Sequence, residues 1–369
     1  MSRSKQLPSR VKSEIQRSSA LIVLANLILM AVIGVFFSSA FSTALLGSWG
    51  TALAQCAAGT LFLWLFLPHI ALNCIELYVN STRLEHNYAK LDAIVTTTLR
   101  MFRLLRMQKS VAVSSLLLRL GQTKIAQGDF ENAEQLFKES ITCTSGVPSA
   151  RRSVAMAMSI LNLASAYAWQ ERFLESEIEA EKALSMLQKS SYLGVEKFKP
   201  YCLLLMGINR YRLGEIESAE ETLLSAFESF EEMKPSLEMP LLSIQSARIS
   251  CYLYLAALKV RKGNIQNSYE YFNKFFDLVQ GSTAIMTTTH IRSINTLVDE
   301  YLRIGDFQHA EDLINIAYEL SGSTPFHPDT QHTITAFEKL LIATERQPEI
   351  ADMKSWLRPI PQIANLLKD

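Results

Sequence analysis

The chain has 369 residues, of which 49% are hydrophobic, and its 36 basic and 36 acidic residues cancel. That length allows about two domains. Residues 1–110 carry 11 Lys/Arg and 4 Asp/Glu, a net of +7; the remainder carries 36−11 = 25 basic and 36−4 = 32 acidic residues, a net of −7. This acidic main part argues against nucleic acid as a partner, because phosphate contacts require a basic face. Five widely spaced cysteines without a CxxC pair predict neither a disulfide framework nor a zinc site.

An uncharged stretch at 18–75 follows a basic N-terminal segment, 1–17. It contains two apolar runs, 20–37 and about 52–75, and each approaches the roughly 20 residues that a membrane-spanning helix needs. Five basic residues precede the first run and six follow the second, and positive residues stay on the cytoplasmic side. We therefore expect two transmembrane helices at 18–79, inserted in a lipid bilayer, with both termini in the cytoplasm. A bacterial cytoplasmic membrane is the expected location.

Two points about this hairpin stay open at the level of sequence. Residues 1–40 could be a cleaved signal peptide, although the apolar run exceeds the usual 7–15 or so residues of such a segment. His69 is the ionisable side chain within the span, and such groups often have a function in membranes. Its position toward the cytoplasmic end favours simple contact with the headgroup region.

A helical connector is predicted at 80–110. Apolar residues recur at steps of three and four between Leu84 and Leu105, which is typical of a helix with one buried face. The same segment carries a basic stripe: Arg100, Arg103, Arg106 and Lys109. This stripe either contacts anionic lipid headgroups or faces solvent or the acidic part of the chain.

A pattern of small, turn and large apolar residues recurs five times after residue 110. The copies begin at Leu120, Leu163, Met206, Leu255 and Leu297. The first small position is occupied by Gly121, Ala164, Gly207, Ala256 and Val298, and the second by Ala133, Ser176, Ala219, Ser268 and Ala310. The large position holds Phe137, Leu223, Phe272 and Ile314, but Ala180 in the second copy. Small residues on two helices allow close packing, and the large residue then fills the layer between copies.

This pattern resembles the tetratricopeptide repeat (TPR). The first small positions, 121, 164, 207, 256 and 298, are 43, 43, 49 and 42 residues apart, longer than the common spacing of about 34. That length, together with the HPDT segment His327–Thr330, resembles the kinesin-light-chain type of repeat. The resemblance implies an all-α fold, with the transmembrane helices followed by a right-handed α-solenoid of helix pairs. The solenoid would cover 111–345, with about five repeats and a capping helix, and a Pro-containing tail would follow at 346–369.

The sequence shows no phosphate-binding loop, hydrolase motif or paired metal-ligand spacing, so we expect no enzyme activity, no cofactor and no metal site. In the TPR family the first helices line a concave groove that binds peptide segments. The resemblance places the following residues there: Leu118, Gln122, Ile125, Ser165, Trp169, Ile208, Tyr211, Arg261, Asp299 and Arg303. Alternatively, some of the apolar ones are buried by the longer helices.

These features together predict a membrane-anchored scaffold that recruits or assembles partner proteins through its repeat array. The alternative is a signalling module, in which the hairpin senses and the repeats transmit. Self-association into a homo-oligomer is compatible with both functions.

Overall fold

A computed structural model describes residues 34–60 apart from 36, 43, 46 and 47, and then 88–104, 111–144, 150–190, 194–235, 241–279, 286, 288–321 and 327–350. Regular structure in these ranges is helical. The helices after residue 87 are α1 (Tyr88–Leu104), α2 (Val111–Ala126), α3 (Phe130–Thr144), α4 (Ala150–Trp169), α5 (Phe173–Gln188), α6 (Lys199–Leu213), α7 (Ile216–Glu232), α8 (Leu241–Arg261), α9 (Ile265–Val279), α10 (Ile291–Ile304), α11 (Phe307–Ser321) and α12 (Pro328–Ala343). Short 3₁₀ turns, Val195–Phe198 and Thr288–His290, precede α6 and α10.

From α2 to α11, consecutive helices pack as hairpin pairs with turns of a few residues. The turn recurs: in the first pair the Asp129 N–H donates to the Lys124 carbonyl at 2.9 Å, as in a Schellman motif. Its central residue is left-handed, and in the second pair this residue is Glu171 rather than glycine. Glu345, with φ +60°, makes the same turn after α12. The all-α, helical-repeat architecture predicted from the sequence is therefore confirmed.

The small positions bring the two helices of a pair into close contact. A Cβ added at Gly121 would overlap the Phe137 ring, and one added at Gly207 would lie 2.6 Å from Cγ of Leu223. Phe137 and Leu223 are buried, so neither can move aside into solvent. In the second pair, where Ala180 replaces the large residue, Met206 of the next pair is buried in the same apolar cluster.

Helix α1 packs on the first pair. Val95, Leu99 and Phe102 are buried against the apolar side chains of α2 and α3. On the same helix, Arg103 forms an ion pair with Glu139 at 2.7 Å, whereas Arg100 is exposed. Arg103 therefore contacts the first pair, and the role of the stripe as a whole stays a prediction. The other two members of the stripe, Arg106 and Lys109, lie outside the described residues.

The predicted location in a bacterial cytoplasmic membrane is wrong. A helix needs about 20 apolar residues to cross a bilayer, and among the described residues no helix combines the length and the apolarity that this requires. The predicted two-helix hairpin and its lipid contact at 18–79 are accordingly not supported. Most of both apolar runs, His69 and most of the signal-peptide alternative at 1–40 fall outside the described residues.

We predict that Gly121→Ala destabilises the protein by about 1–3 kcal/mol, the usual cost of overpacking a filled core. The new methyl group meets the buried Phe137 ring, which has no space to retreat. The midpoint of chemical unfolding, followed by circular dichroism, measures the effect.

Gly50→Ala is the matched control, because a Cβ there would have no atom within 4 Å. The second change Phe137→Leu should restore part of the stability of Gly121→Ala. An unchanged midpoint for Gly121→Ala would contradict the close approach of α2 and α3.

Candidate functional site

The candidate site is the inner face of the repeat array. The first helices of successive pairs, α2, α4, α6, α8 and α10, contact one another in this order, and α12 continues the series. In the described part of the chain the second helices make no comparable contacts with each other. First helices are therefore on the inside of the curve and second helices on the outside. The ten predicted groove residues lie on these first helices.

At the N-terminal end of the inner face, a polar bridge connects two pairs. The Gln122 Nε2 donates to Oδ1 of Asn162 at 3.0 Å, which joins α2 to α4. Ser165 is half-buried on the same face. Leu118 packs partly buried against an apolar cluster in which Ile125 is only 5% exposed. Ile125 is thus part of the core, as the alternative interpretation of the apolar residues had it.

Further along, three predicted residues from three different pairs meet at Glu300. The Tyr211 hydroxyl donates to Oε1 of this carboxylate at 2.8 Å, and Arg261 Nε donates to the same oxygen at 2.5 Å. Arg303 donates to Oε2 at 2.9 Å. The Arg261 guanidinium also lies over the Tyr211 ring, 4.1 Å from its centroid. Burial, together with the Glu300 charge, raises the pKa of the Tyr211 phenol.

This cluster holds a buried carboxylate between two half-exposed cations. The Glu300 side chain is 5% exposed, whereas Arg261 and Arg303 are 37% and 56% exposed. The two guanidiniums therefore keep N–H donors toward solvent. The local charge is two positive and one negative, on an array that is acidic elsewhere.

Next to Glu300 in the chain, Asp299 forms an ion pair with His332 of α12 at 3.0 Å. This hydrogen bond raises the pKa of His332, against the effects of burial and of Arg212. Both partners remain accessible, with 42% and 45% of the side chain exposed. Ile208, also predicted for the groove, packs half-buried against the adjoining core.

Arg292, at the start of α10, crosses to the second pair. Its guanidinium lies 4.1 Å from the centroid of the Trp169 ring and donates to the carbonyls of Ala168 and Trp169 at 3.0 and 3.2 Å. On its other side it donates to Oδ1 of Asp329 at 3.1 Å. Trp169 was predicted to line the groove. Its ring is covered by the side chain of Arg292, more than a hundred residues further along the chain.

The HPDT segment makes a second contact of this kind, with the first pair. His327 caps the N-terminus of α12, its Nδ1 accepting from the Asp329 N–H at 3.2 Å, while its Nε2 lies 3.3 Å from the carbonyl oxygen of Ile125. The imidazole packs edge-on against Phe130 and Trp169, with centroids 5.8 and 5.7 Å apart. The end of the described array therefore returns to its beginning.

Three functional candidates were not found from the sequence. Glu300 and Arg292 lie on α10, and their partners are 89 and more than 120 residues away. No local pattern signals such contacts. Asp329 belongs to the HPDT segment. The sequence identified this segment but predicted no contact for it. Across the described residues, no group of three His, Cys, Asp or Glu side chains could hold a metal ion.

We predict that Glu300→Ala lowers the free energy of unfolding by about 1–3 kcal/mol. The change removes charge-assisted hydrogen bonds and leaves the buried Tyr211 hydroxyl without its acceptor, while the partial exposure of the two arginines limits the loss. Denaturant unfolding of the full chain measures it.

Asp299→Ala is the control, since its ion pair is exposed and should contribute less than about 1 kcal/mol. Equal losses in the two variants would show that Glu300 does not organise the cluster.

Comparisons with known proteins give a fold and no family. No protein-family model matches the chain, and no curated protein matches it significantly. Among solved structures, a Rap protein complexed with Competence and Sporulation Factor is similar over 91% of this chain and 90% of its own, with a TM-score of 0.55 and 14% identity.

Two further solved structures share the helical repeat more distantly. BtubC (BKLC) from P. vanneervenii covers 66% of this chain and 94% of its own at 19% identity, with a TM-score of 0.45. A putative kinesin light chain with TPR-like repeats from Podosopora anserina covers 56% and 95% at 16% identity, with a TM-score of 0.37. The similarity to the Rap structure supports the helical-repeat fold predicted from the sequence, and the kinesin-light-chain subtype stays a prediction.

Proposed function

We propose that this chain is a protein-interaction module whose inner face binds a segment of a partner protein. The observation that carries the proposal is the series of half-exposed polar and apolar side chains on successive first helices. Gln122 and Ser165 lie at one end, Ile208 in the middle, and Arg261 and Arg303 at the other. A surface that combines polar and apolar side chains in this way can bind an extended or helical peptide.

The chemistry of the site favours binding over catalysis. The carboxylates Glu300 and Asp299 are already engaged by cationic partners within the chain. The guanidiniums of Arg261 and Arg303 are the groups left with donors for a ligand. The Rap structure with the same fold is a complex with Competence and Sporulation Factor, and this supports a binding role by analogy of fold.

A scaffold that assembles partners is the first form of this proposal, and a regulatory module is the second. The regulatory form is motivated by the contacts of Arg292 and His327 with the first two pairs, which join parts of the array that are distant in sequence and could be the element that switches. A homo-oligomer and the absence of a nucleic-acid partner stay predictions.

We expect peptides selected from a displayed random library on the full chain to bind the inner face. Ile208→Glu should then weaken their affinity by about tenfold or more, equivalent to about 1.4 kcal/mol, because a charge enters the apolar middle of the groove. Arg303→Ala should weaken it as well. Fluorescence anisotropy with the labelled peptides measures both.

Ile178→Glu is the matched control, since the same change falls on the outer helix α5 at a side chain that is 62% exposed. Thermal unfolding by circular dichroism verifies that each variant is folded. Failure to select any peptide, or equal weakening by Ile178→Glu, would contradict a peptide site on the inner face.

A further inference from the structure

We propose that the array is a ring held shut by a latch, and that opening the latch exposes Trp169 and the N-terminal end of the inner face. The latch consists of Arg292 and the segment His327–Asp329 on one side, and of the α2–α3 turn region (Ile125–Phe130) and the end of α4 at Trp169 on the other. It is a conformational device and does not depend on the identity of any partner.

The first argument is that the latch is polar, whereas the joints between neighbouring pairs are apolar. One buried apolar cluster extends from the third pair to α12, and another joins the first and second pairs. Among the described residues, no apolar cluster includes side chains from both the first pair and α10–α12. The closure instead contains hydrogen bonds, the stack of Arg292 on Trp169 and the His327 imidazole, beside the approach of the 3₁₀ turn Thr288–His290 to α2.

Arg292 shows how this contact can open without loss of fold. Its partners are the ring of Trp169 and the last carbonyls of α4, the end of a helix that attracts cations. In an open ring these carbonyls and the guanidinium can bond to water instead. Asp329 would still neutralise Arg292, because both belong to the same half of the latch.

His327 makes the latch dependent on its protonation state. Nδ1 accepts the N–H of Asp329 and Nε2 faces the carbonyl of Ile125, so both bonds require the neutral ring with its proton on Nε2. A second proton, on Nδ1, removes the acceptor that caps α12. The imidazole side chain is fully buried in the closed ring.

The charged groups that face His327 oppose one another. Asp329 on its own helix favours the protonated ring, whereas Arg292 of α10 disfavours it. Burial is the largest effect, and the pKa of His327 is lowered overall. Because the pKa of His327 in the closed ring lies below the ordinary value of about 6.5, the neutral histidine stabilises the closed ring above that pH. This stabilisation is lost as the pH falls below it. Acid therefore favours the open ring.

Gly128 lies where the α2–α3 turn meets the HPDT segment. A Cβ at this position would lie 3.1 Å from Cδ of Pro328 and 3.5 Å from the His327 ring. Gly263 occupies the same turn in the fourth pair, also left-handed, with no atom within 4 Å of its added Cβ. Substitution by Ala therefore has the same backbone cost at both glycines, but only the methyl group added at Gly128 would contact the latch.

The experiment compares Gly128→Ala and Arg292→Ala with the controls Gly263→Ala and Arg346→Ala. The background is the full chain with Trp49, Trp64 and Trp356 replaced by Phe, so that fluorescence reports on Trp169. We expect acrylamide quenching of Trp169 to increase roughly twofold in the two latch variants, at unchanged helicity, and to stay constant in the controls. Small-angle scattering should show a larger radius of gyration for the latch variants alone.

A pH series tests the same latch without disturbing its arginine. In the unsubstituted latch, quenching should rise between pH 7.5 and pH 5.5, whereas His327→Asn should remove this rise. Asparagine can still accept the Asp329 N–H as a helix cap but does not titrate.

The proposal is overturned if the latch variants and their controls give the same quenching and scattering. It is equally overturned if both latch variants lose helicity, since the contact would then belong to the fold itself. A pH response that persists in His327→Asn would remove the histidine from the latch. Because no partner is present, none of these outcomes bears on whether the inner face binds peptides.

Discussion

The close approach of two helices at a small residue is the constraint on which the other features depend. At Gly121 and Gly207 the first helix has no side chain, and a large residue of the second helix lies against its backbone. This contact fixes the distance within a pair. With the second helices held outside, the first helices of neighbouring pairs come into contact and the array curves. Every inner-face contact follows from that curvature.

The curvature in turn explains why polar side chains from distant pairs meet. Tyr211, Arg261 and Arg303 sit near the ends of three successive first helices, where the curve brings those ends together. Glu300 neutralises one of the two positive charges that Arg261 and Arg303 bring to this point. The same curvature brings Arg292 into contact with the second pair and His327 into contact with the first pair. The packing within each pair therefore also determines the shape of the inner face.

Sequence reasoning succeeded where the determinant is local. The small, turn and large positions recur at fixed offsets, so the helix pairs and their turns were predictable from residues such as Gly121 and Phe137. Even the exception at Glu171 keeps the turn, because the surrounding pattern fixes the backbone there. The predicted membrane location rested on the composition of the N-terminal apolar runs alone, and most of both runs lies outside the described residues.

The candidate site was less predictable, because it depends on contacts between residues far apart in sequence. Tyr211, Arg261 and Arg303 were placed on the inner face through the family pattern, but their common partner was not. Ile125 was expected in the groove and is buried, since its side chain packs in the apolar cluster between the first and second pairs. The HPDT segment returns to the backbone carbonyl of the same residue. Such closure is a property of the whole curve and leaves no periodic trace in the sequence.

Joining the two ends of a repeat array also changes how it comes apart. A linear stack frays from its outermost units, because each of these has a neighbour on one side alone. Here the HPDT segment at the start of α12 contacts the α2–α3 turn of the leading unit, so each end of the described array has a neighbour there. The end of α2 and the start of α12 should thus fray only after this contact has opened, so both ends of the array are protected as long as the ring stays closed.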